Sequence, residues 1–81
     1  MKRIDNRWAR GIQGIIGEME YSHPACKKLI DMGVTPGCFY TVEGTAPFGS
    51  PIRINIRGYS LAVRKSDLKA VKSVKIVATK R

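Results

Sequence analysis

Residues 46–65 read APFGSPIRINIRGYSLAVRK, and the fold turns on how this stretch is parsed. Ile52, Ile54 and Ile56 alternate with Arg53, Asn55 and Arg57. A strand sends successive side chains to opposite faces. Three isoleucines therefore face a core, and the polar residues face out. Gly58-Tyr59 reads as a tight connection, and residues 60–64 as a second strand with Leu61 and Val63 inward. Upstream, two prolines and a glycine within 46–51 exclude a regular ladder and predict a loop.

Working outward, Tyr40 and Val42 alternate with Thr41 and Glu43, which predicts another strand. Residues 11–18, GIQGIIGE, are rich in isoleucine and broken by glycine. They predict a first strand with a bend or bulge. A helix follows. Ser22 or His23 is its expected N-cap, and Pro24 suits its first turn. Ala25, Leu29 and Met32 form one helical face, flanked by Cys26 and Ile30. Gly33 stops the helix, and Pro36-Gly37 turns the chain away. Beyond the quoted stretch, Ser66 or Asp67 caps one helical turn, DLKAV. Val74, Ile76 and Ala78 alternate as a last strand.

Five short strands with one helix between the first two predict a mostly β domain. Curling the sheet into a small barrel, with the helix over one open end, removes exposed edges. The isoleucines, Leu61, Val63, Tyr40 and Val42 would fill it. The domain is expected over 10–79. Residues 1–9 read as an N-terminal tail in which Trp8 patches one end of the core. Residues 80–81 read as a frayed C-terminus.

A chain of 81 residues makes one domain and buries about 60% of the surface its unfolded form exposes. It has little material for the walls of a deep cleft. No repeat or low-complexity run is present. The longest apolar runs are three residues, as in Leu61-Ala62-Val63. A secretory signal needs roughly 7–15 apolar residues and a spanning helix about 20. A soluble, cytoplasmic chain is expected. Cys26 and Cys38 are the only cysteines and read as reduced, small buried or half-buried thiols. Fifteen Lys and Arg against six Asp and Glu give a formal charge of +9. That favours an anionic partner without choosing among RNA, lipid and an acidic protein face.

Three runs in order carry a resemblance: LIDMGVTPG (29–37), APFGSPIRI (46–54) and GYSLAVRKSDLKAV (58–71). Together they resemble the bacterial ferrous-iron-transport protein A (FeoA) family over residues 11 to 77. Two features depart from that pattern. Phe48 stands where the family usually has a branched aliphatic, and the basic balance is higher. The resemblance implies an SH3-like barrel. It also implies a small adaptor that binds and modulates a membrane permease for Fe²⁺ carrying a cytoplasmic GTPase domain.

The residues themselves offer little chemistry. His23 is the only histidine, beside a proline, and capping explains it. Glu18 and Glu20 are the only close acidic pair. With His23 and Cys26 they form at most a weak, transient metal site, because Fe²⁺ sites want histidine and carboxylate together. There is no phosphate-cradling glycine loop followed by Lys and Ser. Neither enzyme activity, nor a cofactor, nor a small-molecule substrate is expected.

Partner contact falls on two surfaces. Pro47, Phe48 and Gly49 belong to a stiff loop whose ring either meets a partner or plugs the barrel mouth; we take the contact reading. Arg53, Arg57, Arg64 and Lys65 form either a solvated outer face or an electropositive patch. Such a patch would meet the GTPase part of the permease or the anionic inner face of the membrane. The alternative function is a small basic barrel binding RNA or DNA. It is weakened because only Tyr59 lies near the basic strand as a stacking ring.

Overall fold

Arg57 and Gly58 form the two-residue turn between β3 (Ile52–Ile56) and β4 (Tyr59–Val63) in a computed structural model that describes residues 6–79. Both turn residues have positive φ, 54° and 84°, the backbone of a type I′ hairpin turn. Glycine adopts it freely and arginine does not. The Asn55 side-chain oxygen accepts the Gly58 N–H at 3.3 Å and holds the turn closed. Arg57 was expected on the outer strand face. It sits at the hairpin tip instead, because Ile56 and not Arg57 pairs with Tyr59.

The remaining elements are β1 (Ile12–Ile16), α1 (Cys26–Met32), β2 (Phe39–Thr45) and β5 (Val74–Thr79), with 3-10 turns at Asn6–Trp8 and Asp67–Ala70. All strand pairs are antiparallel, in the order β4-β3-β2-β1-β5. The helix lies between the first two strands in sequence, as expected. The sheet is not closed. Among the described residues β4 and β5 share no ladder, and the Asp67–Ala70 turn connects their ends.

The core contains the side chains the pattern pointed to. Tyr40, Val42, Ile52, Ile54, Ile56 and Val63 are buried, with Ile12, Ile16, Leu29, Leu68 and Val71. Fully burying each aliphatic side chain stabilises the domain by about 1.5–3 kcal/mol. Leu61 and Met32 are only partly buried against this cluster. Leu61 lies on the edge strand, and Met32 ends the helix. Gly14 sits where a Cβ would come within 2.9 Å of the Tyr40 ring and the Lys75 carbonyl. The glycine makes room for Tyr40, and the β1–β5 register shifts at Gln13/Gly14, where a bend or bulge is expected.

Three expectations are corrected. Residues 7 and 8 are not tail. Trp8 packs on the core as expected, 4% exposed, but Arg7 is also fixed: its Nη1 donates to the Val71 carbonyl at 3.0 Å. Residues 1–5 and 80–81 lie outside the described residues. The alternation of Val74, Ile76 and Ala78 breaks at Ala78: a bulge at Val77 sets Ala78 opposite outward-facing Gln13, while Ile76, opposite Gly14, keeps the core side but is 43% exposed on the edge strand. Ser22 does not cap the helix; its hydroxyl donates to Glu20 Oε2 at 2.8 Å. His23 Nδ1 accepts the Ala25 N–H at 3.0 Å and caps the turn that leads into α1.

The helix ends as expected. Gly33 is left-handed, and the N–H groups of Gly33 and Val34 return to Ile30 and Leu29. This double closure is a Schellman motif. It swings Val34 into the core, where it is fully buried. Neither Ser66 nor Asp67 caps the second turn through its side chain. The Asp67 carboxylate instead takes Lys28 Nζ at 2.6 Å and ties this turn to α1.

Candidate functional site

The loop at 46–51 is built to hold its shape. Gly49 N–H donates to the Ala46 carbonyl at 2.8 Å, and Ala46 N–H to the Pro51 carbonyl at 3.0 Å. The first bond closes a turn with proline at its second position, where φ is already set. The second closes the loop mouth. The Ser50–Pro51 peptide is cis. Ser50 Oγ accepts the Lys65 N–H at 3.2 Å, which fastens the loop to the exit of β4. None of these bonds uses the Phe48 ring, which is 98% exposed. The ring does not plug the barrel.

Arg53 lies beside this loop on the outer sheet face. Its cross-strand neighbours are Gly44 on β2 and Ala62 on β4. Both are small, so the arginine stands in a shallow trough whose walls include Thr45, Ala46 and Pro51. A bulge at Glu43 bends β2 there, between the Val42–Ile54 and Gly44–Arg53 pairs. The bulge sets Gly44 rather than Glu43 opposite Arg53 and leaves Glu43 exposed on the outer face. Its carboxylate accepts Ser60 Oγ at 2.8 Å and Asn55 Nδ2 at 3.4 Å.

The predicted basic residues divide. Ile52 pairs with Val63, so Arg53, Arg64 and Lys65 share one end of the hairpin with the Phe48 loop. Arg57 is at the other end, in the turn just past β3, roughly 13 Å away. Arg53, Arg57, Arg64 and Lys65 are all exposed. The trough itself is not visible along the chain. Its signal is the pair of small residues flanking Arg53, which becomes visible only with the strand register.

The metal candidates are not brought together. β1 ends at Ile16, so Glu18 and Glu20 do not lie along one strand face. Cys26 is buried in the core and His23 Nδ1 is occupied. The Ser22 hydroxyl, its backbone and Lys72 favour the charged form of Glu20 and lower its pKa. Among the described residues, no three His, Cys, Asp or Glu side chains stand together as metal ligands.

This arrangement defines an SH3-like β-domain whose most distinctive surface is a stiff loop with a bare aromatic ring beside a basic sheet edge. The FeoA domain model matches residues 9–75, and the chain belongs to the FeoA family, whose members are small accessory proteins of ferrous-iron transport. The solution structure of the FeoA-like protein from Clostridium acetobutylicum is similar with a TM-score of 0.82 and 30% identity, over 94% of this chain and 87% of that one. Iron(II) transport protein A from Clostridium thermocellum is similar with a TM-score of 0.77 and 30% identity. The match covers 88% of this chain and 43% of that chain. FeoA of Stenotrophomonas maltophilia, solved with zinc and described as a procaryotic SH3 domain protein, has a TM-score of 0.62 at 17% identity over 84% of this chain and 81% of that one. That likeness shows the fold. Among the described residues, no helix is long and apolar enough to cross a membrane.

Proposed function

We propose that this chain is an adaptor of ferrous-iron uptake: it binds the cytoplasmic GTPase part of an iron permease and modulates it. It neither hydrolyses GTP nor carries the iron. The observation that carries this reading is Phe48, a ring 98% exposed on a loop that hydrogen bonds and prolines already shape. A large apolar ring left in water on a rigid support serves contact rather than folding. Arg53, Arg64 and Lys65 at the same end supply attraction to an acidic partner face.

Capture of the permease from membranes by the immobilised chain tests the reading. Capture is expected at low salt, weaker at high salt, and much reduced for Phe48→Ala. Retention of RNA or of anionic vesicles with no permease captured would overturn it.

A further inference from the structure

Among the described residues the sheet has two free edges, and they are treated differently. β5 is blunted by Lys75 within the strand and by the bulge at Val77, the devices that stop an edge from pairing with other chains. β4, Tyr59-Ser60-Leu61-Ala62-Val63, has no charge, no proline and no bulge across its five pairs with β3. The two-residue turn makes Ile56–Tyr59 a hydrogen-bonded pair. Alternation then turns Tyr59, Leu61 and Val63 toward β3. The N–H and C=O groups of Ser60 and Ala62 face the free edge. Among the described residues no backbone group bonds them.

We propose that β4 receives an extended, acidic segment of a partner protein by strand addition. The proposal rests on reading the Phe48 end of the hairpin as the partner surface, and it names how the partner is held. Strand addition takes affinity from main-chain bonds and specificity from alternate side chains. A residue placed opposite Ala62 would have Arg53 two strands away, with only a methyl group between them. The long guanidinium side chain reaches over that methyl to a carboxylate. Arg64 extends the same positive row just beyond the strand. On the other side of the added strand, apolar residues would lie beside Tyr59, 71% exposed, and half-buried Leu61. The fitting segment therefore alternates acidic and apolar residues. A second copy of this chain fits poorly, since two-fold pairing of β4 would bring the Arg57 turn of one copy against Arg64 of the other.

The test titrates the isotope-labelled full chain with a synthetic peptide of alternating glutamate and valine at low salt. The amides of Ser60 and Ala62 are expected to shift and to exchange with solvent at least about tenfold more slowly. Arg53→Ala should weaken binding by about fivefold. Ala62→Pro removes an outward N–H while sparing the β3 ladder, as edge strands permit, and should abolish binding. Absence of binding would overturn the proposal. So would binding with unchanged exchange at Ser60 and Ala62, or sedimentation showing that β4 edges pair in a dimer. The exchange readout needs no variant, so misfolding of Ala62→Pro leaves the test intact. If Ala62→Pro captures the permease as well as the parent chain, strand addition fails while the adaptor reading stands. If the parent chain captures none, the adaptor reading fails and the peptide titration still decides the edge.

Discussion

The Trp8 indole lies 5.0 Å from the Tyr40 ring, centroid to centroid, with the planes tilted by 43°. The Tyr40 hydroxyl donates to the Arg7 carbonyl at 2.9 Å, so one residue of β2 holds both the ring and the backbone of the N-terminal turn. Trp8→Ala should destabilise the domain by about 3–5 kcal/mol, a large part of what so small a fold has to lose. Tyr40→Phe keeps the ring contact and should cost about 1 kcal/mol. Urea unfolding of both variants checks the ordering.

Leu29 and Phe48 should behave oppositely. Leu29 is completely buried, and Leu29→Ala should cost about 2–5 kcal/mol. Met32→Ala, at a partly buried position, should cost less. Phe48→Ala should leave the melting temperature within a degree or so of the parent and still reduce iron uptake. A melt and an uptake assay on the same variants separate the two roles. A marked fall in the Phe48→Ala melting temperature would sink the contact reading.

How much of this was legible depended on range. The period-two pattern of Ile52, Ile54 and Ile56, and the Gly33 stop, are local signals, and the structure follows them. Arg57 was misplaced by one residue, because turn chemistry decided which of Arg57, Gly58 and Tyr59 made the corner. The alternation of Val74, Ile76 and Ala78 fails at Ala78 because a bulge is set by pairing with β1, which a single strand does not reveal. The trough around Arg53 is wholly non-local. It needs Gly44, Arg53 and Ala62 aligned on three strands. Phe48 stood out as an aromatic on a proline-framed loop, but only the exposure of its ring in the folded loop removed the plug.

Arg57 holds a left-handed backbone that a branched-free glycine or an asparagine adopts more readily. Arg57→Asn should therefore stabilise the hairpin by roughly 1 kcal/mol. Denaturant midpoints would show it. A loss of stability would mean that the arginine side chain contributes a contact outweighing its backbone strain.

Lys28 lowers the Asp67 pKa, first by hydrogen bonding the carboxylate and then by its charge, with Arg64 adding to the effect. A carboxylate depressed in the folded state stabilises it above the unfolded pKa, about 3.9. That contribution is lost as pH falls through the lower folded value. Stability should decline on the acid side of that range, and Asp67→Asn should flatten the decline. Lys28 is exposed and Asp67 only half-buried beside it, so the effect should be small and weaken with salt. Urea midpoints measured across the acid limb test the sign.

Both thiols of this chain are free and buried, Cys26 in the helix and Cys38 just before β2, where its Sγ donates to the Gly33 carbonyl at 3.6 Å. A covalent thiol reagent can reach neither sulfur until the structure around it opens. Alkylation therefore becomes a clock that needs no added probe. Equal labelling rates at the two positions would mean that the helix and the sheet open as one unit. Faster labelling of Cys26 would mean that the helix lifts from the sheet by itself, and the ratio of rates would measure how often it does so.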